Sequence, residues 1–157
     1  MELTRKGEYA IRGIIYLAQQ PAGRVSLISE IAAASNVPQT FLAKIFQSFA
    51  KLGLVTSSRG TGGGFVLARP ASAITLREVV EAVEGPIVPN RCLTGNSCDR
   101  GGPCLVHGIW KTVQTEVVRI LEAVMFANMV GLVTGGRAPG DIADELERAA
   151  RALLTPR

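Results

Sequence analysis

The sequence predicts a mainly α-helical fold with one small β-hairpin. Three observations carry that expectation. Apolar residues recur at three- and four-residue spacing in several separate stretches. A glycine-rich turn, RGTGGG, divides two short runs of strand-like composition. All three cysteines fall in one polar stretch, NRCLTGNSCDRGGPCLVH, between helical segments. Taken in order, these elements read as a winged helix-turn-helix followed by a long dimerisation helix.

The first helix is expected from Thr4, a plausible N-cap, to about Gln20, with Tyr9, Ile11, Ile14, Ile15, Leu17 and Ala18 as its apolar stripe. Pro21-Ala22-Gly23 ends it. Glu8 falls in its early turns, where a carboxylate complements the positive end of the helix dipole. Ser26 is then expected to cap a short helix that faces Leu27, Ile28, Ile31 and Ala32 inward and closes near Ser35-Asn36. After Val37-Pro38 a second helix runs from Gln39 to about Leu52, burying Phe41, Leu42, Ile45, Phe49 and Leu52, and Gly53 terminates it.

Two short helices about a tight turn form a helix-turn-helix, whose second helix can enter a DNA major groove. Gln39, Thr40, Ala43 and Lys44 are left outward near its start, with Gln47 one turn on. An ordinary helical hairpin would show the same pattern. The next segment shifts the balance, because residues 54–58 and 64–68 read as strands around the RGTGGG turn, making a wing. Arg59, with Gly60 and Thr61 beside it, is placed at the tip to enter a minor groove or grip phosphate. The glycines do not make a nucleotide phosphate loop, since the Lys-Ser/Thr ending and a following helix are missing.

Thr75 and Glu78 are spaced as a capping box over a helix carrying Leu76, Val79, Val80 and Val83, which Gly85-Pro86 stops. From Leu105 to about Asn128 helical periodicity returns: Val106, Ile109, Val113, Val117, Ile120 and Val124 form a seam suited to a homodimer. Residues 131–138 read as a link, and Asp141 to Leu154 as a terminal amphipathic helix without an assigned role. The expected organisation is thus a DNA-binding unit over 1–85, a cluster-binding loop over 86–104, a dimerisation helix over 105–130 and a tail over 131–157.

Composition agrees with a globular chain: 157 residues, 47% hydrophobic and 19% charged. No apolar run approaches the roughly 18 residues of a membrane span, and the N-terminus lacks a secretion signal's apolar core. A cytoplasmic protein with reduced thiols is expected. Charge is uneven. Residues 1–70 carry eight Lys/Arg against three Asp/Glu, a net of +5, whereas 71–157 carry nine against ten, a net of −1. A basic first half suits a polyanion such as double-stranded DNA. No nucleophile–base pair or paired carboxylates stand out, so an enzyme is not expected.

Cys92, Cys98 and Cys104 stand at C-x5-C-x5-C, and His107, the only histidine, follows three residues later. Three thiols cannot pair completely, and the tight knuckles of common zinc sites are missing. Wide, regular gaps among glycines suit a larger object, such as an iron–sulfur cluster that needs one non-thiolate ligand. Three alternatives stay open: three unrelated buried cysteines, a cluster-free thiol redox switch on a DNA-binding protein, and a zinc-stabilised interaction module.

The opening LTRKGEYAIR, the IxxxxxVPxxFLxKIFQxxxKxGLVxSxRGxxGGFxLA block and C-x5-C-x5-C-x2-H together resemble the iron–sulfur winged-helix regulators typified by IscR and NsrR. The resemblance covers roughly residues 1–130 and leaves the tail outside. It implies a dimeric, cytoplasmic transcription factor, usually a repressor, whose cluster state alters DNA binding. It also implies Cys92, Cys98 and Cys104 as cluster ligands. The fourth ligand would be His107 with a 2Fe–2S cluster, as in IscR-like members, or the partner's Glu8 with a 4Fe–4S cluster, as in NsrR-like members; the first is preferred. Ala43 stands where some relatives carry an acid, so their operator sequences do not transfer.

Overall fold

The computed structural model describes residues 3–60, 63–94, 104–134 and 148. Six α-helices and one two-stranded antiparallel sheet follow one another among them: α1 (Arg5–Ala18), α2 (Ile28–Ser35), α3 (Gln39–Lys51), β1 (Val55–Ser57), β2 (Phe65–Leu67), α4 (Leu76–Glu84), α5 (Leu105–Ala123) and α6 (Phe126–Thr134). Short 3-10 turns cover Ala71–Ala73 and Arg91–Leu93. The mainly α fold with a small hairpin is as expected.

Helix α1 starts where its cap predicts. The Thr4 hydroxyl accepts from the Gly7 N–H, and the core face is Ala10, Ile14 and Leu17. These pack with Ile31 and Ala32 of α2 and with Leu42, Ile45, Phe46 and Phe49 of α3. The α2–α3 turn depends on Asn36 at φ 53, a left-handed conformation that asparagine tolerates better than most residues. Val37 is buried just after it, and its N–H donates to the Ala32 carbonyl.

Four sequence expectations change. Phe41 and Leu52 are each 60% exposed, and Phe46 takes the expected core place. Positions 42, 45, 46 and 49 form one i, i+3, i+4, i+7 face, from which 41 and 52 lie off-axis. Ser26 does not cap α2. It is fully buried, and its backbone exchanges two hydrogen bonds with Phe65, at 2.9 and 2.8 Å. Leu27, expected to face inward, is 40% exposed and is the N-cap instead, and Glu30 accepts from its N–H at 3.0 Å. The long helix ends at Ala123 rather than near Asn128, because the chain turns extended at Val124. There the Leu76 N–H donates to Val124 O at 2.8 Å and the Phe126 N–H to Ile74 O at 3.1 Å. Phe126 then enters the core with α1 and α4. Finally, residues 131–134, read as linker, belong to α6. The expected terminal helix lies outside the described residues apart from Arg148, which is helical.

Candidate nucleic-acid interface and metal centre

The outer face of α3 is built by what its inner face buries. With Leu42, Ile45, Phe46 and Phe49 turned to the core, Gln39, Thr40, Phe41, Lys44 and Gln47 are all exposed. The helix QTFLAKIFQSFAK contains no carboxylate and carries two lysines. Gln39, Thr40 and Lys44 are therefore open to solvent. The start of a helix also presents unpaired backbone N–H groups and a partial positive charge, both suited to phosphate.

The wing follows, its first strand packed against α3. Strands β1 and β2 pair antiparallel with Thr56 opposite Val66, and Ser58 and Gly64 exchange backbone hydrogen bonds at the mouth of the turn. Arg59 is exposed there, followed by Gly60 at φ 111, a conformation costly to any residue with a Cβ. Thr61 lies outside the described residues. The Ser26–Phe65 bridge ties the wing to the start of α2, so the wing and the α2–α3 pair are held on one scaffold.

The cysteine segment leaves α4 at Gly85 and approaches α5. Ile87 is buried, and its carbonyl accepts from the Gln114 side chain of α5 at 2.7 Å. Cys92 sits in the 3-10 turn Arg91–Leu93, which packs on α5, and its N–H donates to Asn90 Oδ1 at 3.4 Å. Cys104 is the N-cap of α5, and the His107 N–H donates to its carbonyl at 3.1 Å. His107 thus stands in the first turn of the helix that Cys104 begins, and its side chain is exposed. Cys92 and Cys104 are both half-buried free thiols. Cys98 lies outside the described residues. Glu8 is on α1, half-exposed, with Arg12 at 3.9 Å.

Two free thiols and an exposed imidazole are donors of the kind an iron–sulfur centre takes, although among the described residues no three His, Cys, Asp or Glu side chains come together as a metal site. They fit a thiol pair as well. Long-range ties around this segment carry no local sequence signal. Arg77 of α4, already paired locally with Glu81 at 3.0 Å, also reaches Glu122 of α5 at 3.4 Å. Glu84, at the end of α4, accepts from both the N–H and the hydroxyl of Thr4, at 3.2 and 2.6 Å. Sequence reasoning sent Phe41, and Leu52 at the C-cap, to the core where both are exposed, and Ala43, expected outward, is half-buried.

A family model described as "Rrf2: Iron-dependent Transcriptional regulator" matches residues 3–131. The HTH-type transcriptional regulator IscR of Escherichia coli is 33% identical over 131 residues, covering 83% of this chain and 80% of that protein. Among solved structures, IscR of T. potens is similar with a TM-score of 0.71 at 22% identity, over 91% of this chain and 96% of that one. CymR, the global cysteine regulator of B. subtilis, has a TM-score of 0.69 at 24% identity, over 83% of this chain and 97% of that one.

Proposed function

The chain belongs to the Rrf2 family of winged-helix transcriptional regulators, and from that premise we propose that it is a homodimeric repressor whose operator binding follows the state of an iron–sulfur centre. As a transcriptional regulator it is a DNA-binding protein and not an enzyme. The observation that carries the finer reading is the cysteine segment itself. Two half-buried free thiols, Cys92 and Cys104, bracket a loop that is packed on α5 at one end and continuous with α5 at the other.

Cys92, Cys98 and Cys104 would hold the centre, with His107 as fourth donor from the same chain or Glu8 from the partner subunit. When bound, the centre supplies a charge and occupancy that change with iron, oxygen or nitric oxide. The chain's own residues carry the consequence. Asn90 orients the turn that holds Cys92, and Gln114 fixes the entry of the loop to α5. Arg77 clasps α5 to α4 through Glu122, and Glu84 clasps α4 to the start of α1. A change in the loop therefore reaches both α5 and the head that bears α3. In a dimer paired through α5, that sets the orientation of two reading helices.

The test is anaerobic purification with iron and sulfide analysis and a visible spectrum. Charge-transfer bands with about two iron per chain support the 2Fe–2S reading with His107, and about four support 4Fe–4S with the partner's Glu8. Alongside, Cys92→Ala should change operator affinity at fixed salt. A colourless protein after reconstitution, with three titratable thiols, overturns the cluster and leaves the thiol switch that the two free cysteines also suit.

A further inference from the structure

Phe41 is 60% exposed, although the same helix buries two other phenylalanines, Phe46 and Phe49, completely. A lone exposed apolar side chain is ordinary on a protein surface. Its setting here is not. Phe41 is the third residue of α3, and the exposed residues next to it, Thr40 and Lys44, are polar or basic, as are Gln39 and Gln47 elsewhere on the helix. Residues three or four apart on a helix are neighbours, so Phe41 and Lys44 adjoin, as do Thr40 and Lys44. The ring therefore lies within a surface whose charge suits a polyanion, at the end of a helix-turn-helix reading helix that meets base edges.

In the major groove the one apolar feature a base presents is the 5-methyl of thymine, and apolar side chains read it by contact. Half-buried Ala43, two residues further on, has no hydrogen-bonding group that would draw a polar base edge toward this end of α3. We propose that Phe41 is a specificity-determining residue whose ring packs on a thymine methyl in each half-site, selecting an A·T pair at that step. The proposal rests on the DNA-binding reading of α3 and is independent of the nature of the cysteine centre.

The experiment begins with the full-length protein and a randomised duplex library. The enriched duplex is rebuilt with each thymine in turn replaced by deoxyuridine, which removes only the methyl, and affinities are read by fluorescence anisotropy at one salt concentration. One position per half-site should weaken wild-type binding about three- to fivefold, the effect of one buried methyl. Phe41→Ala should bind the enriched duplex about tenfold more weakly and show no difference between thymine and uracil at that position. Its salt dependence on random-sequence duplex should be unchanged, because both lysines remain. Lys44→Ala should instead weaken all sequences alike and lower the salt slope by about one. A flat uracil scan in the wild type, or thymine discrimination that survives in Phe41→Ala, overturns the proposal while leaving DNA binding intact. A protein with no salt-dependent affinity for any duplex overturns both.

Discussion

Glu78 joins three parts of the molecule through one carboxylate. One oxygen accepts from the Thr75 N–H at 2.9 Å and from its hydroxyl at 3.2 Å, closing the capping box of α4, whose other half is the Glu78 N–H donating to Thr75 Oγ1. The other oxygen meets Arg69 at 2.6 Å, just past the end of β2. Burial alone would push this carboxyl up, but the Thr75 N–H and the Arg69 guanidinium outweigh it and hold it below the ordinary value of 4.5. A depressed carboxylate contributes stability that is complete above its unfolded value and is lost as pH falls through the folded one. Glu78→Gln should therefore cost about 1 kcal/mol at neutral pH, a capping-sized effect kept small by partial solvent exposure. In thermal unfolding, the gap between variant and wild type should narrow as pH drops below the glutamate range. A gap of constant size at all pH values would mean that the charge on Glu78 contributes nothing.

The wing depends on a close approach that only one residue type allows. A Cβ on Gly64 would sit 2.2 Å from the Ser26 carbonyl oxygen, a backbone atom that cannot move without breaking the Ser26–Phe65 pair. Gly64→Ala should destabilise the protein by about 2 kcal/mol in urea unfolding and loosen the wing, with a fall in DNA affinity that Gly23→Ala would not reproduce. Gly23 has φ 81 but nothing within 4 Å, so its substitution carries backbone strain without a clash. The sequence marked RGTGGG as a turn from composition, yet could not say which glycine the packing needs, because Ser26 lies far away along the chain. The same distance explains Ser26 itself. A serine ahead of an apolar helix reads as a cap, and only pairing with Phe65 withdraws it. Residue Val124 continues a helical repeat with no glycine or proline to interrupt it, and its pairing with Leu76 ends α5 there. Where the signal is local, as in the Thr4 and Thr75 caps and the Gly85 stop, sequence and structure agree. In α3 the pattern admits two faces, and the core's choice of Phe46 over Phe41 put an aromatic ring on the exposed surface of the helix.

Helix α5 is tied to its own chain by polar contacts. Gln114 and Glu122 reach the Ile87 carbonyl and Arg77, yet no described side chain of α5 is fully buried. Val106, Ile109 and Val113, at gaps of three and four residues, are 53%, 62% and 37% exposed. A neighbouring apolar triplet on a 19-residue helix is a poor face to leave in water, and it continues the seam that the sequence pattern extends through Val117 and Ile120. A second copy meeting this seam would bury it and place two α3 helices on one duplex. Ile109→Glu should then turn a dimer into a monomer in sedimentation equilibrium. Because Ile109 is mostly solvent-exposed within its own chain, helical content and unfolding midpoint at low concentration should change little. The monomer should also lose operator affinity by more than any single phosphate contact explains, and its salt slope should fall to about half, since one head releases half the counterions of two. A variant that stays dimeric would place the interface elsewhere. A variant that becomes monomeric but keeps full affinity would mean that each head acts alone, which would remove the route from the cysteine segment through α5 to the spacing of the reading helices.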